Sequence, residues 1–293
     1  GRNGQVRRIV CVLPSGSQMA VKTMKVIVSH DVDHLYTSEH FRDGILPKFL
    51  VRSLLETGSG RILTTELLRR IRGAIRGQWH HLEEIMRFDE VKGIPSTFFF
   101  GTAHGLGLSY ELDRAASWVD KIESRGFDTG VHGIAFNAVE EMKKERELYS
   151  HITKNDTFGI RMHYLRMDST TQSTLASLGY LYDATPYSMG NPWKVKGMPV
   201  FPLHIMDGRM LESGRLGLQV RSKSEILSRT EAIIRREEES GTEYVSLLFH
   251  DRYYSDEFVT WKWWYETMIN YIITKGISFT SYREACRSLA SAG

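Results

Sequence analysis

The stretch that most constrains the fold is the apolar, β-branched run at residues 24–28, followed directly by Ser29-His30-Asp31-Val32-Asp33-His34. A short run of this kind predicts a buried β-strand. In a β/α fold, polar groups at the carboxyl end of such a strand are the usual place for chemistry. An extended chain puts Asp31 and Asp33 on one side, where two carboxylates repel and require a positive partner. A divalent metal is the simplest partner; the alternative is a pair of aspartates that cap the next helix.

Strand and helix patterns alternate along the rest of the chain, which favours a parallel sheet or barrel in one α/β domain. Further strands are predicted at 94–100, 127–132, 158–164, 180–183, 200–206, 244–250 and 277–280. Helices are predicted at 109–124, 138–153, 223–240 and 259–274, followed by a C-terminal helix. Residues 35–92 also have helical periodicity, so we expect a helical insertion between the first two strands.

The composition is that of an ordinary globular chain, with 41% hydrophobic residues and enough apolar material for a large core. The net charge of +3 does not favour nucleic acid as a partner. The insertion is basic, with Arg61, Arg69, Arg70, Arg72 and Arg76. This charge predicts a solvated helix face or, alternatively, a surface that meets an anionic ligand or a membrane peripherally.

The first 23 residues are interpreted as an N-terminal extension of a domain that spans 24–293. Their apolar run is too short for a signal peptide, and no other stretch is long enough for a transmembrane helix. Cys11 and Cys286 lie at opposite ends of the chain and form neither a metal motif nor a disulfide framework. We therefore expect a reducing compartment, which predicts a cytoplasmic protein.

Several predicted strands end in an acidic or an imidazole side chain. The first ends at Asp31, and three later ones end at His132, His163 and His250. If the strands are parallel, their carboxyl ends share one rim and these four positions converge there. Imidazole and carboxylate together suit Zn²⁺, with Co²⁺, Mn²⁺ or Ni²⁺ as alternatives.

A set of short motifs has the order found in a known family. The motifs are Asp31-Val32-Asp33, Ser96-Thr97-Phe98-Phe99, Gly130-Val131-His132-Gly133, Arg161-Met162-His163-Tyr164 and Leu247-Leu248-Phe249-His250. Together they resemble the NodB-type polysaccharide deacetylases, a carbohydrate esterase family, over residues 24–280. The first motif is most similar to that of the His-Asp-Val-Asp branch, which is associated with bacterial surface-polysaccharide and O-antigen biosynthesis. The resemblance implies a distorted (β/α)7 barrel and a metal-dependent N-deacetylase.

The resemblance also implies a role for each matching residue. The set comprises Asp31 as general base, Asp33 and His132 as metal ligands, Arg161 as holder of the base, the Tyr164 N–H as oxyanion donor and His250 as general acid. Asp207, in the turn at 205–208, is a candidate for orienting a catalytic side chain, and turn formation alone explains it equally well. The implied substrate is an N-acetylated sugar, a nucleotide sugar or a lipid-linked glycan. The oligomeric state is not predicted.

One position departs from the family pattern. The family's second histidine ligand lies four residues after the first, and here that residue is Phe136, which cannot bind a metal. The nearest substitute is His163, at the rim end of its own predicted strand, with His30, His34 and His104 as weaker candidates. We expect Asp33, His132 and His163 to hold the metal, with Phe136 as an apolar wall.

Two other function classes stay open. One is a catalytically inactive carbohydrate-binding barrel, which loss of the usual second histidine would produce. The other is a metal-dependent hydrolase of a non-sugar C–N bond, since related barrels resemble amidases. Retention of Asp31, Arg161 and His250 favours the enzyme, because a binding protein has little use for an acid–base pair.

Overall fold

The structure, a computed structural model, describes residues 23–220 and 222–291. The predicted N-terminal extension, apart from its last residue, and Cys11 lie outside the described residues. The strands are β1 Lys25–Val32, β2 Thr97–Phe100, β3 Asp128–Gly133, β4 Ile160–Met162, β5 Trp193–Val195, β6 Met198–Val200, β7 Leu203–Met206, β8 Glu212–Ser213, β9 Leu218–Gln219, β10 Tyr244–Leu248 and β11 Ser278–Thr280. The helices are α1 Ile45–Gly58, α2 Thr64–Arg76, α3 Leu82–Lys92, α4 Leu112–Ser124, α5 Val139–Thr153, α6 Thr171–Leu178, α7 Asp207–Leu211, α8 Lys223–Glu239, α9 Val259–Thr274 and α10 Tyr282–Ser291. Short 3₁₀ turns lie at Thr37–His40, His163–Leu165 and Asp251–Tyr253.

The main sheet has the strand order β4-β3-β2-β1-β10-β7, with β11 paired to β1 beside this path. Its pairings are parallel, as the alternation of strand and helix predicts. The carboxyl ends of these strands therefore lie along one rim. The register aligns Asp31 with Phe99 and His132 with Arg161, so the predicted site residues start from neighbouring positions.

The sheet curves into a distorted barrel that is closed by single bridges. Asp183 bridges Ile160 of β4 on one side and Val200 of β6 on the other. Because β6 leads through Pro202 into β7, these bridges connect the two ends of the strand path. The predicted α/β barrel is confirmed.

Alternation along β1 separates two layers of core. Val26 and Val28 face outward into a large apolar cluster between the sheet and the helices. Ile27 faces inward, where it belongs to a smaller cluster with Phe99 and with Tyr282 of α10. Each fully buried aromatic side chain of this kind contributes about 1.5–3 kcal/mol. The interior is thus packed at its lower end, which leaves the inward positions nearer the carboxyl end of β1 for polar residues.

Three predicted strands differ most in extent from the observed ones. The strand predicted at 158–164 ends at Met162, because Tyr164 adopts a left-handed conformation (φ 56°) in the following 3₁₀ turn. The strand predicted at 180–183 is reduced to the bridging residue Asp183. The strand predicted at 200–206 is divided into β6 and β7 at Pro202, which lacks the N–H for a sheet hydrogen bond.

Helices α1, α2 and α3 lie between β1 and β2 in sequence, where the helical insertion was predicted. Helices α1 and α2 are joined by Arg70, which donates to Glu56 at 2.6 Å and to Glu66 at 2.8 Å in a buried cluster. Among the described helices, none combines the length and the apolar character that a membrane span requires.

Candidate active site

The end of β1 supplies two aspartates to the rim. Asp31 is buried on the inward face, and Arg161 of β4 donates to its Oδ1 at 2.9 Å. Burial would raise the pKa of the Asp31 carboxyl, but Arg161 and the nearby His132 hold it below its usual value. The second oxygen, Oδ2, faces the His132 Nε2 at 3.8 Å. Asp31 therefore stays ionised, with one oxygen bound and the other directed toward the rim.

Arg161 is held in place by several acceptors. Its guanidinium also donates to Ser29 Oγ at 2.9 Å, Tyr282 Oη at 2.9 Å and the Ala184 carbonyl at 3.0 Å. The guanidinium carbon lies 4.6 Å from the centre of the Phe99 ring. A fully buried guanidinium with this many partners is fixed in orientation. It can therefore hold the Asp31 carboxylate at a defined angle to the rim.

Asp33, His132 and His163 converge beside this pair, with one potential ligand atom from each within 4.8 Å of the others. The His132 Nε2 lies 3.2 Å from Asp33 Oδ1, and the His163 Nδ1 lies 3.5 Å from the same oxygen. The two imidazole nitrogens are 2.9 Å apart. Ligands at about 2.0–2.1 Å around a tetrahedral zinc would be roughly 3.3 Å apart. The three observed distances bracket that separation.

The donor chemistry of this cluster also fits a divalent metal. Asp33 Oδ1 is buried and accepts no hydrogen bond from the residues that the structure describes. Burial would raise the pKa of the Asp33 carboxyl, but His132 and His163 lower it well below its usual value. A buried carboxylate oxygen without a donor costs free energy unless a cation binds there. One carboxylate and two imidazoles with an open side match a catalytic zinc site.

Backbone carbonyls set the imidazole tautomers. The His132 Nδ1 lies 3.1 Å from the Arg161 carbonyl, and the His163 Nε2 lies 3.1 Å from the Leu106 carbonyl. A carbonyl only accepts, so each of these nitrogens carries the proton. The lone pairs therefore lie on His132 Nε2 and His163 Nδ1, the two nitrogens that face Asp33. Neutral rings in this orientation present both lone pairs to a bound cation. Without one, burial would lower the pKa of His163 but Asp33 raises it, which favours a proton in that place.

His250 follows β10 and faces the cluster from the opposite side. Its Nδ1 donates to Asp207, whose two oxygens lie at 3.0 Å, and its backbone N–H donates to Asp207 Oδ2 at 2.8 Å. Its Nε2 lies 3.6 Å from Asp33 Oδ2. Burial would lower the pKa of His250, but Asp207 and Asp33 raise it to about 10. His250 is therefore an imidazolium that can donate a proton from Nε2.

Tyr164 lies in the turn after β4 with its side chain 68% exposed. Its left-handed backbone is uncommon for a residue with a Cβ and occurs most often at functional sites. The Tyr164 ring centre is 4.1 Å from that of His163. The oxyanion role implied for its N–H stays a prediction, as do the ligand and catalytic roles of the other site residues.

Three other residues named in the sequence analysis make contacts outside the ligand set. The His30 ring contacts Asp89 and the Phe249 carbonyl on the outer face of β1, as alternation predicts. The His34 ring packs edge-on against Trp79, with ring centres 5.6 Å apart. The Arg166 guanidinium stacks on the ring of Phe136, with its carbon 4.4 Å from the ring centre.

Three contributors have no signal in the motifs. The Leu106 carbonyl that fixes His163 belongs to a loop in which Gly105, Leu106 and Gly107 all have positive φ angles. Ser29 and Tyr282 accept hydrogen bonds from Arg161. Ser29 could have been predicted to face the site, because it lies two residues before Asp31 on the same strand; Tyr282 has no such signal.

No family model matches the chain, and no curated protein matches it. Solved structures do match. A Mycobacterium smegmatis protein assigned as a polysaccharide deacetylase is 14% identical, with 94% of this chain and 93% of that one covered and a TM-score of 0.60. PuuE allantoinase is 14% identical, with 92% and 91% covered and a TM-score of 0.61. The α-amylase AmyC from Thermotoga maritima is 10% identical, with 90% and 74% covered and a TM-score of 0.50.

Identities this low establish a shared fold. The chain has the barrel that the polysaccharide deacetylase resemblance implies, and that prediction of fold is confirmed. The three structures carry different activities in their names, so the fold alone does not fix the reaction. The chemistry has to be inferred from the side chains at the rim.

Proposed function

We propose that this chain is a metal-dependent hydrolase of C–N bonds that removes the acetyl group from an N-acetylated sugar. The observation that carries the proposal is the convergence of three units on one rim. These are the ligand set Asp33, His132 and His163, the Asp31–Arg161 pair, and the His250–Asp207 pair. The M. smegmatis structure assigned as a polysaccharide deacetylase shares the fold and supports this reaction class.

An amide needs assistance at both ends, because its carbonyl is a weak electrophile and its amine a poor leaving group. A divalent ion, most simply Zn²⁺, would supply Lewis acidity toward the acyl oxygen and an acidified water. Asp31 accepts the proton of the attacking water through Oδ2, since Oδ1 is bound by Arg161. Its lowered pKa makes it a weak base, so it depends on that acidified water.

His250 completes the reaction at the amine. The imidazolium carries a proton on Nε2, and Asp207 stabilises that charged form through Nδ1. Transfer of the Nε2 proton to the nitrogen allows the C–N bond to break with a neutral amine as the leaving group. The oxyanion of the tetrahedral stage accepts a hydrogen bond from the Tyr164 N–H.

The proposal includes a role in bacterial surface-polysaccharide or O-antigen biosynthesis and a cytoplasmic location. The first follows from the His-Asp-Val-Asp motif at 30–33. The second follows from the two separated cysteines, of which Cys286 is buried and forms no disulfide with any residue that the structure describes. Peripheral contact with a membrane through the basic helices α1 and α2 is part of the same proposal, and exposed Leu54, Leu68 and Ile75 on these helices support it.

A second candidate is hydrolysis of a non-sugar C–N bond. It is favoured by the likeness to PuuE allantoinase, which matches this fold as well as the M. smegmatis structure does. A third, the inactive carbohydrate-binding barrel, is disfavoured by the retained Asp31–Arg161 and His250–Asp207 pairs.

The decisive experiment combines metal analysis with three substrates. Purified protein is loaded with Zn²⁺ or Co²⁺, its metal content is measured, and acetate release is followed with N-acetylated chito-oligomers and a nucleotide-linked N-acetyl sugar. Ring opening of allantoin is measured in parallel. We expect one bound ion per chain and acetate from at least one sugar. Turnover of allantoin alone would establish the second candidate, and sugar binding without acetate release would establish the third.

A further inference from the structure

Arginines that stack on aromatic rings fall into two groups in this chain. In the first group the guanidinium also donates to a carboxylate, a hydroxyl or a carbonyl; its members are Arg70, Arg114, Arg146 and Arg161. In the second group it stacks but forms no hydrogen bond or ion pair with any of the residues at 23–220 and 222–291. The members of the second group are Arg166, Arg209 and Arg252.

The second group shares one location. Arg166 ends the turn after β4, Arg209 lies in α7 directly after β7, and Arg252 lies in the turn after β10. All three therefore follow the carboxyl ends of barrel strands, on the rim that bears the candidate metal ligands. We call them the rim arginines. Of the seven stacked arginines, the three without a partner among the described residues thus all lie at the rim.

Arg252 is the most constrained of the three. Its guanidinium carbon is 3.8 Å from the centre of the Trp79 ring and 4.8 Å from that of Phe49, and both rings are buried. Arg252 lies two residues after His250, and Trp79 also contacts the His34 ring beside Asp33. Arg252 is therefore held at the edge of the candidate active site.

The charge of Arg252 is undercompensated. Burial lowers the pKa of Arg252 below its ordinary value, and the nearby Tyr253 and Glu257 only partly oppose this. The pKa of Arg161, which has Asp31 beside it, is raised despite burial. Arg252 is half-buried and has no acceptor among the described residues, and a partly desolvated cation is normally paired in native chains. In the same region the His34 Nδ1 is buried and has no hydrogen-bond partner among the described residues. Two polar groups are thus left open beside the metal ligands.

The geometry points to an anionic group on the substrate. We propose that the rim arginines bind a phosphate or a carboxylate of the N-acetylated sugar, with Arg252 as the direct contact and Arg166 and Arg209 as flanking charges. A guanidinium that stacks through its face keeps its planar edge free, and that edge matches carboxylate and phosphate oxygens in a bidentate pair. This inference rests on the proposed deacetylase function and narrows its substrate class.

The test compares three N-acetylated probes in the metal-loaded enzyme. They are a neutral chito-oligomer, UDP-N-acetylglucosamine and an N-acetylated uronic acid. We expect one of the two anionic probes to exceed the neutral one at least about tenfold in kcat/KM, the scale of one charged hydrogen bond. The phosphate-bearing and carboxylate-bearing probes separate the two sources of negative charge.

Variants assign the effect to the rim arginines. Arg252→Met should lower kcat/KM for the preferred anionic probe by about 10–100-fold, mainly through KM, and leave the neutral probe within about twofold. Arg252→Lys keeps the charge and loses the planar edge, so it should lie in between. Arg166→Met and Arg209→Met should each have smaller effects that fade with added salt. Arg235→Met, on the exposed face of α8, is the matched control and should change nothing.

The outcomes separate this inference from the proposed function. Equal use of neutral and anionic sugars by wild type and by Arg252→Met would overturn the anion subsite and leave the deacetylase intact. If no sugar is deacetylated, calorimetric binding of the same probes decides. Binding of an anionic probe that Arg252→Met loses supports the subsite without the reaction, and its absence overturns both.

Discussion

Two buried clusters of aspartate and histidine lie on opposite faces of β1. On the outer face, Asp89 of α3 accepts hydrogen bonds from Ser96 and from Tyr265 at 2.7 Å, and contacts His30 Nε2 at 3.0 Å. The other nitrogen of His30 donates to the Phe249 carbonyl at 2.8 Å. Both oxygens of Asp89 and both nitrogens of His30 are thus satisfied. This outer cluster is closed.

The inner cluster has the same residue types, but some of its polar atoms have no hydrogen-bond partner among the described residues. Asp33 is approached by His132, His163 and His250, yet its Oδ1 accepts no hydrogen bond from the described residues. Its side chain is one-fifth exposed, whereas that of Asp89 is fully buried. The nitrogens that face Asp33 leave lone pairs directed at a common point.

The difference shows what distinguishes a structural ion cluster from a candidate reaction site in this fold. Side-chain alternation along β1 directs His30 outward and Asp31 inward, so these adjacent residues belong to different clusters. In the outer cluster, hydrogen bonds complete the polar atoms of Asp89 and His30 and stabilise the packing of α3 and α9 on the sheet. At the rim, groups remain unpaired at a cost in stability, which is typical of sites that bind a ligand.

The largest effect is expected from breaking the inner cluster. His163→Ala removes one of three ligands, so metal binding and activity should disappear together, with acetate release reduced roughly 10⁴-fold or more because water activation and carbonyl polarisation are both lost. Metal content by elemental analysis and initial rates measure the two quantities. His104→Ala serves as the control and should retain both. Loss of metal from this control with metal retained in His163→Ala would show that the ligand set is wrong.

A smaller loss is expected from the acid at the rim. His250→Gln should lower kcat by about 10²–10⁴-fold, the usual contribution of a general acid, with the bound metal retained. Asp207→Asn leaves His250 in place but removes the carboxylate that stabilises its charged form, so about tenfold is expected. Steady-state kinetics with elemental analysis tests both. Near wild-type turnover in His250→Gln would remove this residue from the reaction.

Much of the inner cluster could be predicted from the sequence because two regular periodicities determine it. The two-residue period of β1 fixes the side of Asp31, and parallel pairing brings strand ends such as His132 and His163 to one rim. Because Phe136 cannot bind a metal, the same parallel pairing predicts His163 as the third ligand. These inferences need only strand identity and direction, which apolar β-branched runs reveal well.

The rest depends on contacts between distant segments that have no local pattern. Tyr282 reaches Arg161 across 121 positions, and the Leu106 carbonyl reaches His163 across 57. The stacking of Arg252 on Trp79 is equally remote in sequence. The closed nature of the Asp89 cluster was likewise not predictable, since His30 and Asp89 lie 59 residues apart. Charge compensation, and hence function, is decided by these tertiary contacts.

The outer cluster should affect stability and not chemistry. Asp89→Ala leaves His30, Ser96 and Tyr265 without their acceptor, so the free energy of unfolding should fall by about 3–5 kcal/mol, as for other broken buried pairs. Metal content and kcat of the folded fraction should be unchanged. Asp33→Asn in metal-free protein is the counterpart and should cost less than Asp89→Ala. It loses the attraction to His132 and His163 that lowers the Asp33 pKa, but Asp33 Oδ1 accepts no hydrogen bond from the described residues and Asn keeps the shape. Urea unfolding measures both, and a larger loss for Asp33→Asn than for Asp89→Ala would reverse the comparison.

Glu145 of α5 offers an intermediate case, a buried carboxylate that has hydrogen bonds but no cation. It accepts from the backbone N–H groups of Ile134 and Ala135, which follow His132, and burial nevertheless raises its pKa to about 7. The folded chain therefore keeps a proton on Glu145 between about pH 4.5 and 7, where the unfolded chain has lost it. Because the unfolded state binds fewer protons in this window, stability should fall as pH rises through it, by up to about 3 kcal/mol.

Glu145→Gln should lack this component, so the difference in unfolding free energy between variant and wild type should grow from pH 5 to pH 8. Urea unfolding of metal-free protein at both values tests this, with Glu140→Gln on the exposed side of the same helix as control. Parallel pH profiles for wild type and Glu145→Gln would mean that the two N–H donors alone compensate the charge.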